Sequence, residues 1–365
     1  MPAWPEVRRT DAVMADGRSL AYYDRPGAPP RDGIDVRPPE AAAPVSQLRR
    51  DPLTGEWTIV AGHRQERTFQ PTAQETRAQG CPLCPSTPER ATEIPAADYQ
   101  VVVFDNRFPA LTRTAAGIET PDERPGIGRC QVVCFTDDHD ARLADLDADR
   151  VLLIVQAWAD SVARLREDPR LVSCLVFENR GADIGVTLTH PHGQVYAYPF
   201  LPPREGLLLD AAARHHADTG RILALDVADA EERDAVRLLA ATDHWTAHVP
   251  RAARWPFEVR ITPRRAIASL DGLHADEAAD FAVLYPRLLR ALDDAYGVPM
   301  PYVAAWHQAP LAGGAPGAQL FLEVFSTRRA PDRLKYLAGS ESAAGVWIND
   351  IAPEHAAAML REALA

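Results

Sequence analysis

The stretch His190-Pro191-His192-Gly193-Gln194, continuing as Val195-Tyr196-Ala197-Tyr198, constrains this chain more than any other. Its alternation is strand-like, because side chains two positions apart on a strand share a face. His190, His192, Gln194, Tyr196 and Tyr198 then point one way, and Pro191, Gly193, Val195, Ala197 and Pro199 the other. Two imidazoles and a carboxamide on one face, backed by small or apolar residues, have the make-up of a reaction surface. Pro191 fixes its own φ and removes an amide donor, so the strand is expected at an edge or an end of a sheet.

An independent half-site lies upstream. Cys81-Pro82-Leu83-Cys84 puts two thiols on one tight turn, a spacing that lets both reach a single metal ion. A CxxC can also be redox-active, but that use favours a helix start beside a βαβ unit, and this pair lies among prolines in a loop. Soft sulfur completed by imidazole suits zinc. The candidates to complete it are His139, directly after an expected strand, and His190. A closed Cys2His2 set is structural, and it would fix the strand that carries His192. His63, His215, His216, His244, His248, His274 and His355 have no such context and read as surface or packing residues.

Length and charge bound the alternatives. A chain of 365 residues can bury a substantial core in one large or two ordinary domains. The net charge of −12 argues against nucleic acid and anionic membranes as partners, so a phosphorylated ligand must meet a local cationic pocket. There is no long apolar run and no signal-like amino terminus, so no membrane span or leader is expected. Five cysteines form no even framework, which suits a reducing, cytoplasmic setting. Of the 39 basic residues 38 are arginine, and Lys335 is the single lysine.

Residues 1–45, rich in Pro, Asp, Arg and Ala, read as an extended arm with a short strand near 20–23. A half bearing the CxxC and the histidine strand follows over 46–205, and a second half over 206–365. Strands are expected at 57–60, 100–104, 131–135, 171–177, 194–198, 257–262, 302–306 and 319–325. Helices are expected at 146–167, 207–216, 230–246, 275–296 and 353–364, the first with Asp145, Asp147 and Asp149 at its amino-terminal end. Strands cluster, helices are interposed irregularly, and no glycine-rich nucleotide loop occurs. This predicts an α+β fold with a largely antiparallel sheet and flanking helices. Each half reads as a helix followed by a strand pair, a sign of duplication.

With His190 given to a metal, His192 is the imidazole left for chemistry on that face. A neutral imidazole attacks phosphorus competently, and the resulting phosphohistidine is reactive enough to pass its group on. Gln194, two residues along, can donate to a phosphate oxygen. An amide is neither acid nor base, so it favours stabilising an intermediate over activating water.

The sequence closely resembles the galactose-1-phosphate uridylyltransferase family of the histidine-triad-like superfamily over residues 48–365. The matches, in order, begin with Asp51-Pro52-Leu53-Thr54-Gly55-x-Trp57, His63-Arg64-x-x-Arg67, Cys81-x-x-Cys84, Asn106-x-Phe108 and Phe135-x-x-Asp138-His139. They continue with Asn179-Arg180-Gly181-Ala182, His190-Pro191-His192-Gly193-Gln194, Trp255-Pro256-Phe257-Glu258, Trp306-His307-x-Ala309-Pro310 and residues 335–341. The resemblance implies a histidine-triad-like fold of two similar halves and a ping-pong reaction. In it His192 attacks the α-phosphorus of UDP-glucose, glucose 1-phosphate leaves, and galactose 1-phosphate takes the uridylyl group to give UDP-galactose. It assigns zinc to Cys81, Cys84, His139 and His190, and phosphoryl contact to Gln194. Uridine or phosphate contacts fall to Asn106, Phe108 and Asn179, and sugar-phosphate contacts to Lys335 and Glu341. Arg64 and Arg67 match arginines that reach phosphates across a subunit interface, which implies an obligate homodimer.

The chain departs from the family at several points. Thr187 replaces a phosphate-donating serine but keeps the hydroxyl. A second metal site of one glutamate and three histidines, present in some members, keeps only His307; Leu208, Phe321 and Glu323 stand at its other positions, so that metal is expected to be absent. Around Trp347 the match slips, leaving the sugar-contacting glutamine unassigned. Two rivals stand beside uridylyl transfer: the same chemistry on ADP-sugars or dinucleoside polyphosphates, and a zinc-stabilised nucleotide-binding protein without catalysis.

Overall fold

The computed structural model describes residues 4–38, 46–66 and 80–365. Eleven of its strands join in one sheet: Arg8–Val13 (β1), Ser19–Asp24 (β2), Val101–Asp105 (β3), Arg129–Cys134 (β4), Ser173–Arg180 (β5), His192–Tyr198 (β6), Leu238–Ala241 (β7), Trp245–His248 (β8), Phe257–Pro263 (β9), Tyr302–His307 (β10) and Phe321–Ser326 (β11). Their order across the sheet is β1-β2-β3-β4-β6-β5-β10-β11-β9-β8-β7, with every neighbouring pair antiparallel. The helices are Ala148–Leu165 (α1), Pro203–Thr219 (α2), Leu223–Asp234 (α3), Ala275–Asp294 (α4), Gly339–Ala344 (α5) and Pro353–Leu364 (α6). This is an α+β architecture.

The halves repeat one plan. β3 and β4 lead through the 3₁₀ turn Leu143–Asp145 to α1 and then to β5 and β6; β8 and β9 lead through Leu270–Gly272 to α4 and then to β10 and β11. The seam lies between β5 and β10. The cross-strand row Val132, Gln194, Phe177, Ala305, Glu323, Arg260 reads outward alike from the central Phe177–Ala305 pair. Glu323 therefore holds in the second half the place that Gln194 holds in the first. Two residues back, Phe321 stands where His192 stands.

Both long helices cover one face. Asp147 caps α1 by accepting from the Arg150 amide at 2.7 Å, and the helix buries Val151, Leu152, Val155, Trp158 and Val162. α4 packs beside it, and Trp306 from β10 meets Trp158, Trp245 and Phe281 at centroid distances of 6.3, 6.2 and 5.1 Å. The opposite face of the first half carries a cluster that includes Leu83, Ile94, Tyr99, Val132 and Cys134, beneath the segment that bears the CxxC. A small sheet of Gln47–Arg50, Trp57–Val60 and Glu123–Pro125 lies towards the Tyr196 end of that face. His192 and Gln194 sit between the two.

Several expectations need correction. β6 is central, flanked by β4 and β5, not an edge or end strand. Pro191 is accommodated because it precedes the first strand residue, where its missing donor breaks no ladder bond. Residues 230–246 are not one helix. α3 stops at Ala235 with φ +57°, and β7 and β8 follow. Leucine and alanine there favour helix locally, but Trp245, Thr246, Ala247 and His248 are all buried and β8 pairs with β9, so packing overrides propensity. The amino-terminal residues supply two strands rather than one, and β2 pairs with β3 in the main sheet.

One buried acid lies at the seam. Glu178 on β5 accepts from the Tyr302 hydroxyl at 2.9 Å, and burial pushes its carboxyl up to about 7. A raised carboxyl favours folding below the unfolded value of roughly 4.5 and loses that contribution as pH rises through 7, at a cost on the order of 3 kcal/mol. Glu178→Gln, which keeps the acceptor, is expected to flatten the decline between pH 5 and 8. Urea midpoints across that range check it, and an unchanged slope contradicts the assignment.

Candidate active site and metal centre

Four ligand atoms, from Cys81, Cys84, His139 and His190, lie within 4.8 Å of one another. The Cys84 Sγ is 3.5 Å from His139 Nδ1 and 3.6 Å from His190 Nδ1. For a tetrahedral zinc ion, with bonds of about 2.3 Å to sulfur and about 2.05 Å to nitrogen, sulfur and nitrogen stand roughly 3.6 Å apart. The donor set therefore fits a four-coordinate metal. Burial, then the neighbouring Cys81, push the Cys84 thiol up to about 12, a cost that a bound cation removes. Burial lowers His190 to about 4, keeping its imidazole neutral, as a ligand must be.

Outer contacts orient both rings. His190 Nε2 donates to the Thr136 carbonyl at 2.8 Å and meets the Tyr99 hydroxyl at 2.7 Å, while Tyr99 donates to the Leu83 carbonyl at 2.8 Å. His139 Nε2 meets Thr189 Oγ1 at 3.2 Å. In each ring Nδ1 faces the thiols and Nε2 faces the outer contact, so the metal-binding nitrogen is set in advance. Tyr99 ties the loop between the two cysteines to His190, at the entry to β6. Sequence reasoning missed it, because it lies 91 residues from its partner with no periodic signal. Tyr99→Phe is expected to weaken metal retention by about 10- to 100-fold, measured by competition with a chelator; retention equal to the parent's removes Tyr99 from the account.

Two residues beyond His190 comes His192, half-buried, whose Nδ1 lies 2.8 Å from the His190 carbonyl. A carbonyl only accepts, so Nδ1 carries the proton and Nε2 the lone pair. The ligand that anchors the strand also fixes the tautomer of His192. Between them and Gln194, Gly193 turns to the opposite face; a Cβ there would lie 2.8 Å from the Phe135 ring and 2.9 Å from the Phe177 carbonyl. Only glycine fits that close approach.

The structure gathers some of the other expected residues on this surface. Gln194 pairs in register with Val132 and Phe177, and Asn179, two residues beyond Phe177, shares its face level with His192. Arg64, in the turn Gly62–Glu66, donates to the Phe108 carbonyl at 3.0 Å and lies 3.5 Å from the Tyr196 hydroxyl. Asn106 accepts from the Phe108 amide at 2.8 Å, shaping the turn that follows β3. Thr187 is half-buried in the segment leading to His190. Lys335 and Glu341 form a pair of their own at 2.9 Å, with Lys335 also donating to the Ile348 carbonyl. Arg67 lies outside the described residues. Of the positions compared with a second metal site, Leu208 and Phe321 are apolar, and Glu323 is bound by Arg204 at 2.7 Å and Arg254 at 3.1 Å.

Comparison with known proteins is consistent along the whole chain. Residues 38–202 match the galactose-1-phosphate uridyl transferase N-terminal domain, and residues 209–364 match its C-terminal domain. A galactose-1-phosphate uridylyltransferase from Streptomyces lividans is 40% identical over 366 residues, covering 98% of each chain. A solved uridylyltransferase superposes with a TM-score of 0.78 at 34% identity, covering 87% of this chain and 98% of its own. An ADP-glucose phosphorylase from Arabidopsis thaliana, 24% identical over 86% of this chain and 97% of its own, has a TM-score of 0.65 and shares the fold. No helix among the described residues is long and apolar enough to cross a membrane.

Proposed function

The chain belongs to the galactose-1-phosphate uridylyltransferase family, and from that premise we propose that it moves a uridylyl group from UDP-glucose to galactose 1-phosphate through a covalent histidine. His192 Nε2 attacks the α-phosphorus. The bond between that phosphorus and the bridging oxygen breaks, and glucose 1-phosphate leaves with the electron pair. A phosphate oxygen of galactose 1-phosphate then attacks the same phosphorus, the nitrogen–phosphorus bond breaks, and UDP-galactose departs. The observation that supports this reading is the 2.8 Å contact of His192 Nδ1 with the His190 carbonyl, which keeps the lone pair on Nε2.

Gln194 serves as the donor to a non-bridging oxygen as charge shifts in the transition state. Asn106, Phe108, Asn179 and Thr187 contact uridine or its phosphates, and Lys335 with Glu341 holds the sugar phosphate. Cys81, Cys84, His139 and His190 would hold a zinc ion, which would lend rigidity to the entry of β6. We propose one zinc per chain, a cytoplasmic setting, and a homodimer in which Arg64 and Arg67 reach the partner's phosphates. The halves meet near residue 205, and β1 and β2 extend the sheet of the first half.

The test is exchange of labelled glucose 1-phosphate into UDP-glucose with no galactose 1-phosphate present. A ping-pong enzyme exchanges; a sequential transferase or a non-catalytic binder does not. Running ADP-glucose alongside separates the ADP-sugar rival. For the shared site, mixing His192→Ala with Arg64→Ala chains and allowing them to reassort is expected to restore roughly a quarter of parental turnover from two nearly inactive proteins. No recovery contradicts an arginine contributed across the interface.

A further inference from the structure

The second half keeps the frame of the first and changes its chemistry. Where Gln194 stands in one, Glu323 stands in the other, among three arginines, Arg204 at 2.7 Å, Arg254 at 3.1 Å and Arg260 at 3.7 Å, with the His307 Nε2 at 3.5 Å. Its two oxygens are engaged by Arg204 and Arg254, so Arg260 and His307 are held near it without a hydrogen bond to it. The Arg260 Nε and both His307 ring nitrogens are buried and have no hydrogen-bond partner, although His307 is 94% buried. Two other acids lie nearby. Glu258 is occupied by the Arg254 and Trp255 amides, and Glu205, at another wall, is pushed up to about 7 by burial. The Arg260 N–H and the one N–H of a neutral His307 are buried donors that a further acceptor would satisfy.

Arg260 and His307 both line a cavity of about 140 Å³ between the sheet and two helices. Its other walls are mainly apolar, with Leu208, Leu209 and Ala212 from α2 and Leu223, Ala224 and Val227 from α3; Glu205, Gln308 and Gln319 add polar groups to the lining. Arg260 lies 5.0 Å over the Phe321 ring, and His307 stacks on the same ring at 4.8 Å, which fixes both heads at one end. A site with paired cationic and imidazole donors at one end and aliphatic walls at the other selects against sugars and for amphipathic anions.

We infer that this cavity binds a small carboxylate with an apolar body, its carboxylate received by Arg260 and His307 and its body lying between α2 and α3. This goes beyond uridylyl transfer and does not depend on it, since Phe321 replaces the nucleophile here. The experiment is titration calorimetry of the full-length protein with benzoate, with benzamide as the uncharged isostere and inorganic phosphate as the anion without an apolar body. Benzoate is expected to saturate one site per chain, with the other two at least about tenfold weaker. Arg260→Gln is expected to weaken benzoate by about tenfold or more. Ala224→Trp, which fills the cavity and leaves the charges alone, is expected to abolish binding. Phosphate binding as tightly as benzoate overturns the apolar body. Equal affinity for benzamide overturns the role of charge. No saturable benzoate binding, or binding undiminished in both variants, overturns the site.

Discussion

His192→Ala is expected to lower turnover by on the order of 10⁵-fold and to abolish the covalent adduct, while zinc content stays at one per chain and the fold survives. The size follows from the role: with the nucleophile gone, Gln194 has no intermediate to stabilise and the remaining contacts only bind. The fold survives because the substitution leaves the metal ligands and the β6 ladder with β4 and β5 in place. Removing the donor costs about 1 kcal/mol. Exchange of labelled glucose 1-phosphate is the sharper readout. If the variant still exchanges, the nucleophile lies elsewhere.

Cys84→Ser is expected to act in the reverse order, on metal and stability first and on turnover afterwards. Cys84 Sγ approaches both imidazoles of the set, so its loss removes the ligand that lies against each of them. A zinc ion lost from the folded state alone removes at least about 4 kcal/mol, roughly 5 °C of melting temperature for a chain of this size. Turnover falls because His190, no longer held through Nδ1, stops fixing the carbonyl that sets the His192 tautomer. Metal analysis with a melting curve checks this. A variant free of zinc that melts with the parent contradicts a structural metal.

Local pattern carried part of this account and long-range packing the rest. The alternation around His192 and the stripe of α1 are short-range signals, and both elements form where the pattern puts them. The metal set was legible because the chemistry of thiols and imidazoles limits which residues can complete a CxxC, whatever the fold. Tyr99 left no trace, since a lone tyrosine has no spacing to its partner and its role exists only once β3 and β6 are in one sheet. The 238–248 segment misled because leucine and alanine favour helix until β9 offers a strand to pair with. The equivalence of Glu323 with Gln194 emerges from cross-strand register alone.

The central claim is that a metal-anchored strand presents one imidazole to the α-phosphorus, and intact-mass analysis of the protein mixed with UDP-glucose tests it most directly. The account predicts a mass increase of one uridylyl group on the peptide containing His192, discharged when galactose 1-phosphate is added. An unmodified mass during steady turnover, or a uridylyl group on any other residue, contradicts it.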